Sequence, residues 1–100
     1  MDYSGELVLT YDVSVYDPET KETIVQIGPG YSAVARFAGI AEAGIPEAEE
    51  VEELWGNNYY VTFKGKGLIA FLKKYYPEKT DRIPLIDPER KYVLDCYDMS

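Results

Sequence analysis

Apolar residues alternate from Leu7 onward: Leu7, Leu9, Tyr11, Val13 and Val15 share one side, and Val8, Thr10, Asp12, Ser14 and Tyr16 the other. A period of two predicts a strand with one face on a core. The stretch from Asp17 to Glu22, DPETKE, predicts a turn, because Pro18 fixes φ and Asp17 can bond its own backbone. Thr23 to Ile27 then returns as a second strand, so Gly5 to Ile27 is expected to form a β-hairpin.

The pattern changes after Gly28-Pro29-Gly30. Val34, Phe37, Ala38 and Ala41 recur at helical spacing from Ser32 to Ala43, with Gly44 placed to end the helix. A second helix is expected from Pro46 to Trp55. At about 100° per residue, Ala48, Val51, Leu54 and Trp55 gather on one side and Glu49, Glu50, Glu52 and Glu53 on the other. Asn58 to Lys64 is dense in β-branched and aromatic residues and predicts a strand. Leu68, Ile69, Phe71, Leu72, Tyr75 and Tyr76 form a helical stripe that Pro77 ends. Two proline turns, RIPL and IDPERK, precede a last strand near Lys91 to Tyr97. The expected order β-β-α-α-β-α-β implies one α+β domain over residues 1–100: a mainly antiparallel four-stranded sheet with helices on one face.

Charge changes this picture most. The formal net charge is −8, and residues 1–63 hold 12 acids against 2 bases. Such a balance argues against direct binding to nucleic-acid backbones and to anionic membranes, and leaves a basic protein surface as the natural partner. Ten of the fourteen aromatics are tyrosines, which suit half-buried and interface positions. No basic leader with an apolar core is present, and no apolar run reaches the ~20 residues of a membrane span. With a single cysteine, Cys96, a reducing, cytoplasmic setting is expected.

Histidine is absent, which removes the commonest general base and metal ligand together. Cys96 lies between Asp95 and Asp98 in a predicted strand, where negative charge opposes thiolate formation, so it is expected to be a buried small hydrophobe. No metal or cofactor set is present, and a non-enzymatic protein is expected.

Two segments remain as candidate sites. GPGYSA satisfies G-x-G-x-x-A between a predicted strand and helix, so Gly28, Gly30 and Ser32 are candidate ligand-binding residues for a nucleotide or small anion. The surrounding βαβ unit is missing and Pro29 lacks an amide, which favours a plain turn with Ser32 as the helix cap. The acidic run supplies Glu47, Glu49, Glu50, Glu52 and Glu53 as candidate partner-binding residues. The helix start explains the first three, whereas Glu52 and Glu53 add like-charge neighbours that stability does not require. As a helix the run carries about one charge per 1.8 Å, close to the ~1.7 Å of duplex DNA. The functional expectation is therefore an acidic interaction protein that binds a basic partner. Its narrow form is a nucleic-acid mimic inhibiting a nucleic-acid-handling enzyme, in general character like phage anti-defence proteins. The alternatives are a ligand-binding module and an assembly subunit pairing through Tyr59, Tyr60, Tyr75 and Tyr76, with monomer or homodimer left open.

Overall fold

The computed structural model describes residues 11–56 and 58–98. They form an α+β fold with an antiparallel sheet of five strands: β1 (Tyr11–Tyr16), β2 (Thr23–Gln26), β3 (Glu50–Glu53), β4 (Tyr59–Lys64) and β5 (Lys91–Asp98). The order across the sheet is β2-β1-β5-β4-β3. Two α-helices, α1 (Tyr31–Ala43) and α2 (Gly65–Tyr75), lie on one face. A 3-10 segment, Pro77–Leu85, follows α2. No helix among the described residues is long and apolar enough to cross a membrane.

The alternation read from the sequence sets the faces. Val13 and Val15 of β1, Val25 of β2, Tyr59, Val61 and Phe63 of β4, and Tyr92, Leu94 and Cys96 of β5 are buried on the helix side. Val34 and Phe37 of α1 and Leu68, Phe71 and Leu72 of α2 close over them. Phe71 is central, with ring centroids 4.9 Å from Phe63, 5.7 Å from Tyr76 and 6.2 Å from Phe37. The part of the first predicted strand before Tyr11 lies outside the described residues.

Pro46 to Trp55 is not a helix. The chain turns at Pro46 and Glu47, and Glu50–Glu53 pairs with β4 as a fifth, outer strand, setting Val51 opposite Val61. Both local physics and the next turn favour this outcome. A helix would stack Glu49–Glu53, Glu49–Glu52 and Glu50–Glu53 as like-charge neighbours at about 0.2–0.5 kcal/mol each. A strand sends successive glutamates to opposite faces, about 6.8 Å from the next on the same face. The return to β4 runs through Gly56 at φ +73°, which a glycine tolerates without strain. Asn58 then fixes it: Nδ2 donates to the Trp55 carbonyl at 2.5 Å, and Oδ1 accepts from the Asp98 amide at 2.7 Å.

Ser32 does not cap α1. Gly30, at φ +120°, takes the capping position with no side-chain hydrogen bond, and Gly44 ends the helix at φ +105° as expected. After β4 the chain enters α2 without an intervening loop, because the helix begins directly at Gly65. Added side chains at Gly65 and Gly67 would collide with the Asp87 and Glu47 carbonyls, so both glycines admit a loop against the helix. At the first hairpin, the Glu19 amide donates to Asp17 Oδ1 at 2.8 Å, the predicted self-bonded turn, and Arg90 clamps Asp17 Oδ2 at 2.7 Å.

Candidate interaction surface

The five glutamates of the acidic run have three different fates. Glu47 sits in the turn before β3 with its side chain largely covered, one oxygen 3.4 Å from Lys74 Nζ. Glu49 pairs with Lys91 of the central β5 at 3.4 Å, across β4. Glu50, Glu52 and Glu53 lie on β3 itself, exposed and without a salt bridge among the described residues. Glu50 and Glu52 stand on the helix-free face opposite Thr62 and Tyr60, and Glu53 on the helix side opposite Tyr59.

Exposed apolar side chains collect on the same hairpin. Among the described residues, Val51 (43% exposed), Leu54 (44%), Trp55 (86%) and Tyr60 (40%) are four of the six large hydrophobics left exposed; Tyr31 and Leu85 are the others. Scattered single apolar residues need no explanation, but a group around an exposed tryptophan is what recognition surfaces carry.

The hairpin continues into the helix-free face. Register places Ser14, Asp95, Tyr60 and Glu52 in one row, and Tyr16, Val93, Thr62 and Glu50 in the next. The Tyr16 hydroxyl donates to Tyr60 Oη at 3.2 Å across the intervening strand. This bond, with some burial and the Asp95 charge, pushes the Tyr16 phenol up to about 12. Burial and the neighbouring Asp12 raise the Asp95 carboxyl, and burial with Asp12 and Asp95 raises the Tyr97 phenol. The Tyr60 hydrogen bond dominates at Tyr16 and burial at Asp95 and Tyr97, and the carboxylates of Asp12 and Asp95 on this face add to these shifts. Lys64 and Lys91 stand at one end of that face and are engaged by Glu89 (3.8 Å) and Glu49.

The glycine turn is occupied by the fold. The Ile27 and Gly28 amides both donate to the Val13 carbonyl, at 2.9 and 2.8 Å, a bulge-like pairing, and the Gly30 amide donates to Tyr11 at 3.0 Å. A side chain at Gly28 would stand 2.9 Å from the Val13 nitrogen. Both glycines are therefore explained by close approach and positive φ, and their amides are directed at β1 rather than at a ligand. Ser32 is exposed in the first turn of α1. A cavity of about 340 Å³ lies elsewhere, between β2 and the 3-10 segment, lined by Ile24, Gln26, Glu78, Asp81 and Arg82 among others.

Cys96 is fully buried, and burial, then Asp95, Asp98 and Asp12, pushes its thiol up to about 12, which suits a packing residue. Tyr59 and Tyr76 are also core, 5% and 1% exposed, so the tyrosine-lined assembly face loses two of its four members. Sequence reasoning did not single out Trp55, Tyr16 or Asp95 as surface partners, and it placed Tyr60 only among the tyrosines of the assembly face. Alternation had already put Tyr16 and Asp95 away from the core, but their adjacency depends on strand order. No family model matches this chain, and neither a curated protein nor a solved structure matches it.

Proposed function

We propose that this protein is a non-enzymatic interaction protein that binds a basic surface of a partner protein. The contact surface is the β3–β4 hairpin with the adjoining helix-free face of the sheet. One observation carries this reading: Glu50, Glu52 and Glu53, all without salt bridges among the described residues, share a hairpin with exposed Val51, Leu54, Trp55 and Tyr60. Carboxylates supply long-range attraction and orientation to a lysine- or arginine-rich surface, and the apolar group supplies the desolvated centre that holds it. Glu47 and Glu49 are tied into the fold and contribute less. The groove of a nucleic-acid-handling enzyme remains one basic surface of the right sign. The helical charge spacing that favoured a nucleic-acid mimic is absent from a strand, so the phage anti-defence analogy rests on composition alone.

The test is affinity capture from a cell lysate with three forms of the full chain: the natural one, the Glu50/Glu52/Glu53→Gln triple variant and Trp55→Ala. A specific partner should bind the natural chain at ~50 mM salt and fade at ~500 mM, where screening shortens the reach of exposed charge. Both variants should lose it while their melting temperatures stay close to the natural one. Capture that is indifferent to both variants would refute the reading.

A further inference from the structure

The two edges of the sheet are finished differently. In β2, the Ile24 carbonyl points outward and accepts from Arg82 Nε at 3.2 Å, so the 3-10 segment covers that edge. At the other side, the Leu54 amide donates to the Asn58 carbonyl directly opposite, at 2.8 Å. Antiparallel pairing alternates, so Glu52–Tyr60 and Glu50–Thr62 are also hydrogen-bonded pairs, and Val51–Val61 and Glu53–Tyr59 are not. The amides and carbonyls of Val51 and Glu53 therefore point away from β4, into a margin where no described residue meets them.

Resting on the interaction-protein reading above, we propose that this margin accepts an extended, lysine- or arginine-bearing strand of the partner, which adds to the sheet beside β3. Main-chain bonds to Val51 and Glu53 supply the affinity of such strand addition, and side-chain pairing supplies its selectivity. Basic residues at alternate positions of the incoming strand face Glu50 and Glu52 on the helix-free side, and the position between them meets Val51. Trp55, at the end of the edge, covers the end of the added strand. A second copy is the wrong occupant: antiparallel pairing of two β3 strands sets glutamate opposite glutamate in each close register, which is unfavourable. Charge alone is a common way to protect an edge from association. A purely protected edge, however, gains nothing from Val51, Leu54 and Trp55 exposed along it.

The experiment uses the full isotope-labelled chain and three short synthetic peptides: one alternating lysine and valine, one with glutamate replacing its lysines, and one N-methylated at its edge-facing amides. With the lysine peptide, hydrogen exchange at the Val51 and Glu53 amides should slow by about tenfold or more, with no change at Val61. The glutamate and N-methylated peptides should produce no slowing. Val51→Pro, which removes only an outward amide, should lose the effect; if that variant fails to fold, the N-methylated peptide still decides. Equal binding of the N-methylated peptide, with Val51 and Glu53 unprotected, would overturn strand addition and leave the acidic surface standing. Full lysine-peptide binding by the Glu50/Glu52/Glu53→Gln variant would instead overturn the acidic reading and this proposal with it. No binding of the lysine peptide, or protection of the same amides in the chain alone at high concentration, would also overturn strand addition by a basic partner.

Discussion

Replacing Trp55 by alanine separates the hairpin from the helix that the apolar spacing suggested. Trp55 is 86% exposed. If a tryptophan has up to ~250 Å² to bury, about 35 Å² is covered here, worth about 0.9 kcal/mol at ~25 cal/mol per Å². A helix with Trp55 in its apolar stripe would place the indole in the core, where truncation costs about 3–5 kcal/mol. Phe71, wholly buried, is the internal standard for the second case. The assay is urea unfolding followed by far-ultraviolet circular dichroism, since Trp55 is the only tryptophan and its removal abolishes the tryptophan fluorescence. The expected fall in melting temperature is at most about 7 °C for a domain of this size. In the natural chain, Trp55 emission should be that of a hydrated indole. Caesium should quench it more efficiently than iodide, because Glu52 and Glu53 attract the cation. A stability loss of ~3 kcal/mol or more, or an indole shielded from both ions, would refute the hairpin and the interface built on it.

Two further outcomes follow from buried polar groups. The Tyr76 hydroxyl is buried without a hydrogen-bond partner among the described residues, so Tyr76→Phe should leave stability unchanged or raise it by about 1 kcal/mol in denaturant titration; a loss of that size would reveal a partner for the phenol. Burial acts to raise the Asp17 carboxyl, but the Glu19 amide and Arg90 outweigh it and hold it below its ordinary 3.8. A depressed folded value means that Asp17 stabilises fully above 3.8 and loses that contribution as pH falls through the lower folded value. Asp17→Asn should therefore lower the melting temperature at neutral pH, and the gap to the natural chain should close below pH 3.8. A gap that persists unchanged in acid would remove the charge from the explanation.

Much of the fold was legible because burial follows period. Alternation sorted Val13 and Val15 from Ser14 and Tyr16, helical spacing found Phe37 and Leu72, and Pro77 and Gly44 marked the helix ends. The acidic segment misled because Ala48, Val51, Leu54 and Trp55 satisfy a helical stripe, whereas the deciding contact, Val51 beside Val61, is a tertiary one. Two local signals favoured the strand: crowded like charges and the Gly56-to-Asn58 turn before a strong β sequence. The candidate surface was less legible than the fold. Tyr16 and Tyr60 meet across 44 residues of sequence, and no periodicity encodes strand order.

That order, β2-β1-β5-β4-β3, puts β5, the last of these five strands to be synthesised, in the middle. During synthesis, β1–β2 and β3–β4 can each pair locally as soon as they emerge, yet neither can join the other until β5 arrives. Folding of the sheet is therefore a late, non-local closure, of the kind that proceeds slowly. Until it occurs, a nascent chain displays the inner edges of β1 and β4 as well as the outer edge of β3. The mature protein conceals the first two, and the interval before β5 inserts is when the chain is most open to incorrect strand pairing.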